Sequence, residues 1–279
     1  MSTNVAASSS GIASSTLEHT ITFDDVHLAF EENVILAGIS FQLRRAETKI
    51  LLGIAGSGKS TILKLAMGLI RPDSGRISVL GEEVSKLPEE QLFALRRRVG
   101  MVFQESALFD SLTVEDNVSY RLREEHVAPE EIHNRVVEAL KFVELEHTLT
   151  KFPSELSGGM RRRVAIARAI INKPEVLLYD SPTGGLDPIT STRIIELIIK
   201  QRDVYKTSAL LVTHRLQDAF TLASSYFDVK SNQMLPRRAT DTSDVHSSFL
   251  LIREGKVVFD GTAPELGQSK DEYIREYIS

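Results

Sequence analysis

Nine consecutive residues, Gly53-Ile54-Ala55-Gly56-Ser57-Gly58-Lys59-Ser60-Thr61, match the pattern G-x-x-x-x-G-K-[ST]. An apolar strand signal at Lys49 to Gly53 precedes them, and a helical pattern at Ser60 to Leu69 follows. Glycines in such a loop let successive backbone N–H groups curl around phosphate oxygens, and the start of the helix adds a favourable dipole. Lys59 is expected to reach the β- and γ-phosphates of a nucleotide, with the Ser60 hydroxyl ligating Mg²⁺. By composition alone, a chance match somewhere in a chain of this length has a probability on the order of 10⁻². The strand–loop–helix setting lowers it further. A second feature is Val176-Leu177-Leu178-Tyr179-Asp180, an apolar strand ending in a carboxylate. Alone it reads as a strand ending in a helix cap; downstream of a phosphate loop, such an Asp holds Mg²⁺ through its water shell. The third is Leu156-Ser157-Gly158-Gly159-Met160, running into Arg161-Arg162-Arg163-Val164-Ala165-Ile166-Ala167-Arg168-Ala169. A hydroxyl and free N–H groups at a positive helix end form a second anion site. In isolation the same tetrad is an ordinary N-cap with loop glycines.

Short apolar runs alternating with helical patterns position these residues, and they point to an α/β fold with a mostly parallel sheet. Thr20 to Phe30 alternates well enough for an antiparallel edge strand or hairpin. Strands are expected at Arg76 to Leu80, Val99 to Phe103, Glu175 to Tyr179 and Ser208 to Thr213. Between Gln104 and Leu156 the texture is helical: Ile132, Val136, Val137, Leu140 and Val143 share one face of Pro129 to Val143, with acids in its first turn. Ser157 to Ile171 is a further helix. Phe249 to Arg253 and Lys256 to Phe259, joined across Glu254-Gly255, read as a terminal hairpin. Residues 228–248 are polar with little periodicity, which predicts a surface insertion or flexible loop. Residues 1–16 are serine-rich and read as a disordered tail.

Composition narrows the function. The 279 residues carry 33 basic and 38 acidic side chains, a formal charge of −5, which argues against a nucleic-acid binder. There is no cysteine, so disulfides, thiolate metal sites and Cys nucleophiles are excluded, in keeping with a reducing cytosol. No apolar stretch approaches the roughly 18 residues of a membrane span.

Leu156-Ser157-Gly158-Gly159 leading into an R-x-A-x-A-R-A helix, just before a strand ending in Asp180, resembles the signature of ATP-binding-cassette (ABC) ATPases. The resemblance covers about residues 17–278. It implies a P-loop ATPase core with an antiparallel β edge region and an inserted helical subdomain at about 105–170. ATP and Mg²⁺ are the implied cofactors, bound by Gly53 to Thr61 with Ser60 and Asp180 at the metal. Gln104 matches the glutamine that in the family contacts Mg²⁺ and reports to a membrane partner. Asp187, in Gly185-Leu186-Asp187-Pro188, matches the residue near the dimer seam, and His214 matches the switch histidine that senses the γ-phosphate. Phe30 sits where the family places an aromatic that stacks on adenine; the alternative is a core strand residue.

One position departs. After Asp180 the family has Glu, which polarises the attacking water; here the residue is Ser181. A serine cannot act as a carboxylate base. Hydrolysis is then slow and dependent on His214, or another group substitutes, or the molecule is chiefly an ATP-gated dimerisation switch. The resemblance further implies a head-to-tail dimer, in which Ser157, Gly158 and Gly159 of one copy close on the nucleotide of the other, and a membrane permease as partner. The 52 positions separating Gln104 from Leu156 suit a compact helical subdomain and a transporter subunit on the cytoplasmic face of an inner membrane; a soluble non-transport ABC ATPase is the alternative. Phe109, Leu112 and Val114 are candidates for the permease contact or for burial in that subdomain. Met160 and the continuations Asp187-Pro188-Ile189-Thr190 and Asp271 to Ile278 resemble the ATPases of MCE-type (Mla-like) phospholipid transporters. Those would add an MCE-type substrate-binding protein and a small regulatory subunit as partners. Met160 reads equally as a plain apolar helix residue.

Overall fold

The computed structural model describes residues 19–237 and 247–279. In chain order the first elements are β1 (His19–Phe30), β2 (Asn33–Arg44), β3 (Thr48–Leu52), α1 (Lys59–Ala66), β4 (Ser74–Val79), β5 (Glu82–Glu83), α2 (Glu89–Arg96) and β6 (Val99–Val102). The helical middle follows as α3 (Val114–Glu124), α4 (Pro129–Phe142) and α5 (Gly158–Ile170). The chain then returns to alternation with β7 (Val176–Asp180), α6 (Pro188–Tyr205), β8 (Ser208–Val212), α7 (Leu216–Ser224), β9 (Ser225–Asp228) and β10 (Gln233–Pro236). It ends with β11 (Ser247–Arg253), β12 (Lys256–Gly261), α8 (Ala263–Gly267) and α9 (Glu272–Ile278).

The central sheet runs β12-β11-β3-β8-β7-β6, with only β12 antiparallel to its neighbour. Strands β3 and β8 are buried at every position. Their apolar stretches, Ile50 to Leu52 and Ala209 to Val212, are what a parallel strand covered on both faces requires. One face carries α3 to α7, whose apolar stripes (Val118, Leu122, Val136, Leu140, Val164, Ile194, Ile198) join Ile50, Leu52 and Leu211 in one core. The other face packs through Leu51, Leu178, Leu210 and Leu250 against α1 and an antiparallel sheet of order β2-β1-β4-β5. The sheet is therefore the middle layer, and the loops at the carboxyl ends of β3, β7 and β8 open at one edge, where ligands of parallel α/β sheets bind.

Two expectations are corrected here, and one open alternative is decided. Thr20 to Phe30 is neither a sheet edge nor a self-contained hairpin: β1 lies between β2 and β4, paired to both. Residues 228–248 are not a uniform loop, because β9 and β10 form a hairpin that packs on α6 and β11 begins at Ser247. Residues 238–246 and the serine-rich tail lie outside the described residues. Val114 is fully buried at the first turn of α3, so it belongs to the core rather than to a docking surface. Among the described residues no helix is long and apolar enough to cross a membrane.

Candidate nucleotide and magnesium site

The ladder of β3 stops at the Leu52–Leu251 pair, and the chain then turns sharply through Gly53 (φ +145°) and Gly58 (φ +92°). Neither position admits a side chain. A Cβ on Gly53 would run into the Ile252 carbonyl oxygen, and one on Gly58 would lie 2.8 Å from Leu36 Cδ2. The loop therefore nests between the ends of β2 and β11. The Lys59 ammonium sits inside it, donating to the carbonyls of Gly53 (2.8 Å) and Ile54 (2.7 Å) and to Ser57 Oγ (3.1 Å). Burial pulls its pKa below the ordinary lysine value, and the nearby Asp180 charge pulls the other way. A lysine amine held among carbonyls is poised to exchange them for phosphate oxygens.

Two positions after the phosphate loop's last glycine, Ser60 donates its hydroxyl to Asp180 Oδ1 at 2.9 Å. Residues 120 apart in sequence thus meet as a hydroxyl and a carboxylate, the donor set suited to a hard Mg²⁺ ion that keeps several waters. Asp180 is in register with Val212 of β8, so His214, exposed two residues further on, emerges at the same sheet edge. Val102 of β6 pairs with Tyr179, which brings the exposed Gln104 to the same edge. A Cβ on Gly184 would lie 3.6 Å from Gln104 Nε2, so the glutamine borders the segment after Asp180. Ser181 is itself buried (8% exposed), in the left-handed region (φ +46°), with its N–H on Val212 O and its carbonyl receiving Gly184 N–H, both at 2.9 Å.

Phe30 ends β1 beside the β1–β2 turn and is 51% exposed, which removes the reading as a core strand residue. Its hairpin partner β2 touches the phosphate loop through Ile35 and Leu36. Ser157 caps α5, accepting Met160 N–H at 3.2 Å, while Met160 itself is partly buried against the helical core. Gly158 and Gly159 pack on Leu186 and Thr190, and Asp187 caps α6 by accepting from Thr190 N–H (3.0 Å) and Oγ1 (2.6 Å). Those bonds hold the Asp187 carboxyl below its ordinary pKa. Among the described residues no hydrogen bond joins Ser157–Gly159 to the phosphate loop of the same chain. Ser157, Gly158 and Gly159 lie instead against the start of α6.

The arginines of α5 are the components that sequence reasoning missed. Arg162, 4% exposed, donates to Phe103 O (2.8 Å) and Gly184 O (3.4 Å), bracketing Gln104 from both sides. Burial lowers its pKa, with Asp180 and Glu105 opposing the shift. Arg168 donates to Ser106 O (2.8 Å) and Ala107 O (2.7 Å), fixing two residues of positive φ. The one available signal was a run of arginines on an apolar helix without acids at i±4. Asn117 is similar: fully buried, it bonds both the N–H and the carbonyl of Phe109, holding that ring outward at 45% exposure against Tyr120 (centroids 5.0 Å).

A glycine-bent loop between strand and helix, a Ser60–Asp180 contact and a glycine-started helix on a mostly parallel sheet are the features of an ATP-binding cassette. The chain belongs to the ABC transporter family, whose pattern matches residues 36–184. It is an ATPase of that class, acting on ATP with Mg²⁺. It is 39% identical over 264 residues to the protein TRIGALACTOSYLDIACYLGLYCEROL 3, chloroplastic, of Arabidopsis thaliana, covering 91% of this chain and 72% of that one. It is 30% identical to the intermembrane phospholipid transport system ATP-binding protein MlaF of Haemophilus influenzae, covering 88% and 85%. The methionine import ATP-binding protein MetN 2 of Bacillus cereus is 39% identical over 200 residues, 70% of this chain but only 59% of that relative's length. Among solved structures, a dimeric post-hydrolysis ATP-binding cassette bound to ADP and Pi aligns at TM-score 0.72 and 27% identity, covering 87% of this chain and 98% of that one. A component of the cbiONQ ABC transporter complex from Clostridium perfringens aligns at 0.75 and 26%, covering 93% and 94%.

Proposed function

We propose that this chain powers a membrane transporter of phospholipid or another hydrophobic substrate, docked on the cytoplasmic face of a membrane through a permease. The cassette would extend over about residues 17–279, with a helical subdomain at about 105–170. The observation that carries the transporter reading is the Phe109–Tyr120 pair, two exposed aromatic rings, one in the loop after Gln104 whose backbone the buried Asn117 holds, the other on α3. Exposed aromatics are the anchors that protein interfaces favour. Similarity along most of the length of an intermembrane phospholipid transport ATPase supports the lipid class, and would add an MCE-type substrate-binding protein and a small regulatory subunit as partners. Ser157, Gly158 and Gly159, packed away from their own phosphate loop, support a two-fold pair in which each copy completes the other's site. Within it Lys59, Gly53 to Thr61, Phe30 and Asp187 would hold the nucleotide, Ser60, Asp180 and Gln104 the metal, and His214 the γ-phosphate.

Ser181 favours a modified reading in which hydrolysis is slow in isolation and ATP chiefly gates dimerisation. Phe109→Glu tests the docking reading. The variant is expected to lose the co-purified permease and to keep its ATP affinity. Retention of the permease would refute it, and a fall in nucleotide affinity would place Phe109 in the cassette's core instead.

A further inference from the structure

The last helix reaches back to the nucleotide loop. Because the β3–β8 ladder stops at Leu51–Val212, the Gly53 N–H has no strand partner, and a buried amide without one is costly. Its partner comes from 224 residues away: Gly53 N–H donates to the Tyr277 hydroxyl oxygen at 3.0 Å. On the other side of the same residue, the Gly53 carbonyl accepts from Lys59 Nζ at 2.8 Å. Gly53 is thus clamped at both polar groups, by the phosphate-binding lysine and by a tyrosine of α9.

Helix α9 is tied down at several points. Asp271 caps the helix by accepting Ile274 N–H at 3.1 Å, and Ile274 is buried in the core. Arg253, which follows the Ile252 that closes on Gly53, stacks on the Tyr273 ring at 4.3 Å, and Tyr273 packs on Tyr277 with centroids 6.2 Å apart. The Tyr273 hydroxyl is buried without a hydrogen-bond partner, so of the two tyrosines only Tyr277 spends its hydroxyl on the loop.

We infer that Tyr277 is a positioning residue for nucleotide binding, by which the C-terminal helix sets the entry geometry of the phosphate loop. When Lys59 gives up the Gly53 carbonyl for a phosphate oxygen, Tyr277 becomes the remaining restraint on that residue. A loop held in its binding conformation loses less freedom on capturing phosphate. Whatever grips or displaces α9 therefore acts on ATP affinity.

The test compares full-length chain, Tyr277→Phe and Tyr273→Phe with Mg-ATP and a non-hydrolysable ATP analogue. Tyr277→Phe should weaken analogue affinity and raise KM by about three- to tenfold, the worth of one hydrogen bond, while kcat stays within about twofold. Tyr273→Phe should bind as the native chain does. Unchanged affinity in Tyr277→Phe overturns the inference, as does a lowered melting temperature with affinity intact or an equal affinity loss in Tyr273→Phe. Hydrogen exchange at the Gly53 amide is an independent readout. It should be slow in the unliganded native chain, and fast exchange there overturns the inference without any variant.

Discussion

Replacing Ser181 with Glu supplies the carboxylate that this site lacks after Asp180. The backbone contribution cancels, because Ser and Glu meet the same left-handed φ of +46° and keep the same 2.9 Å bonds to Val212 O and from Gly184 N–H. What changes is a carboxylate at a position only 8% exposed, beside Asp180. Poor hydration and a like charge both raise its proton affinity toward neutrality, where a general base is most effective. A placed base contributes about 10²–10⁴ in rate, or about 2.7–5.4 kcal/mol of barrier. The unliganded variant should lose roughly 1–3 kcal/mol of stability from the poorly hydrated group. That corresponds to a melting point lower by about 2–10 °C for a domain of this size. Steady-state phosphate release, measured for both forms with and without permease, reads the gain; analogue binding in the same samples shows that each is folded. Native turnover already at or above about 1 s⁻¹, with no gain in Ser181→Glu, would show that the site is not impaired. Another group would then be polarising the attacking water.

Ser157→Arg places bulk and a cation at the helix start that faces the partner's nucleotide in the proposed pair. Sedimentation of the native chain with Mg-ATP analogue should show a dimer and the variant a monomer, at equal monomer stability. Arg202→Met tests the buried ion pair that joins α6 to the β9 hairpin. Arg202 donates to both Asp203 oxygens (2.7 and 2.9 Å) and to the carbonyls of Leu222 and Ser225, while Asp203 accepts Phe227 N–H at 2.7 Å. Removing the arginine leaves Asp203 as an uncompensated buried charge, so denaturant unfolding should show a loss of about 3–5 kcal/mol. Replacing both residues with apolar ones should recover much of it.

The sequence by itself carried the chemistry wherever the chemistry is local. The phosphate loop, the signature helix and the strand ending in Asp180 are each a few residues whose types are forced by backbone curvature, dipole or charge, and the structure shows each as a compact local unit. Strands β3, β7 and β8 were legible for a related reason: burial on both faces leaves a short apolar run at the centre of each, Ile50 to Leu52, Val176 to Leu178 and Ala209 to Val212. The twelve residues of β2 were not, since their alternation is broken at Gly38 and their pairing partner lies across a turn. β1 read as an edge because nothing within it announces that β4, some fifty residues later, pairs with its free side.

Tertiary structure alone decided which polar groups surround the site. Arg162 meets the carbonyl of Phe103, 59 residues away, and Tyr277 meets the amide of Gly53, 224 residues away. Every residue carries a carbonyl and nearly every residue an amide, so a side chain that bonds to backbone leaves no mark at its partner's position in the sequence. Burial divided Phe109 from Val114 in the same manner. Both are apolar and five residues apart, yet the fold turns one into the core and, through Asn117, holds the other out in solvent.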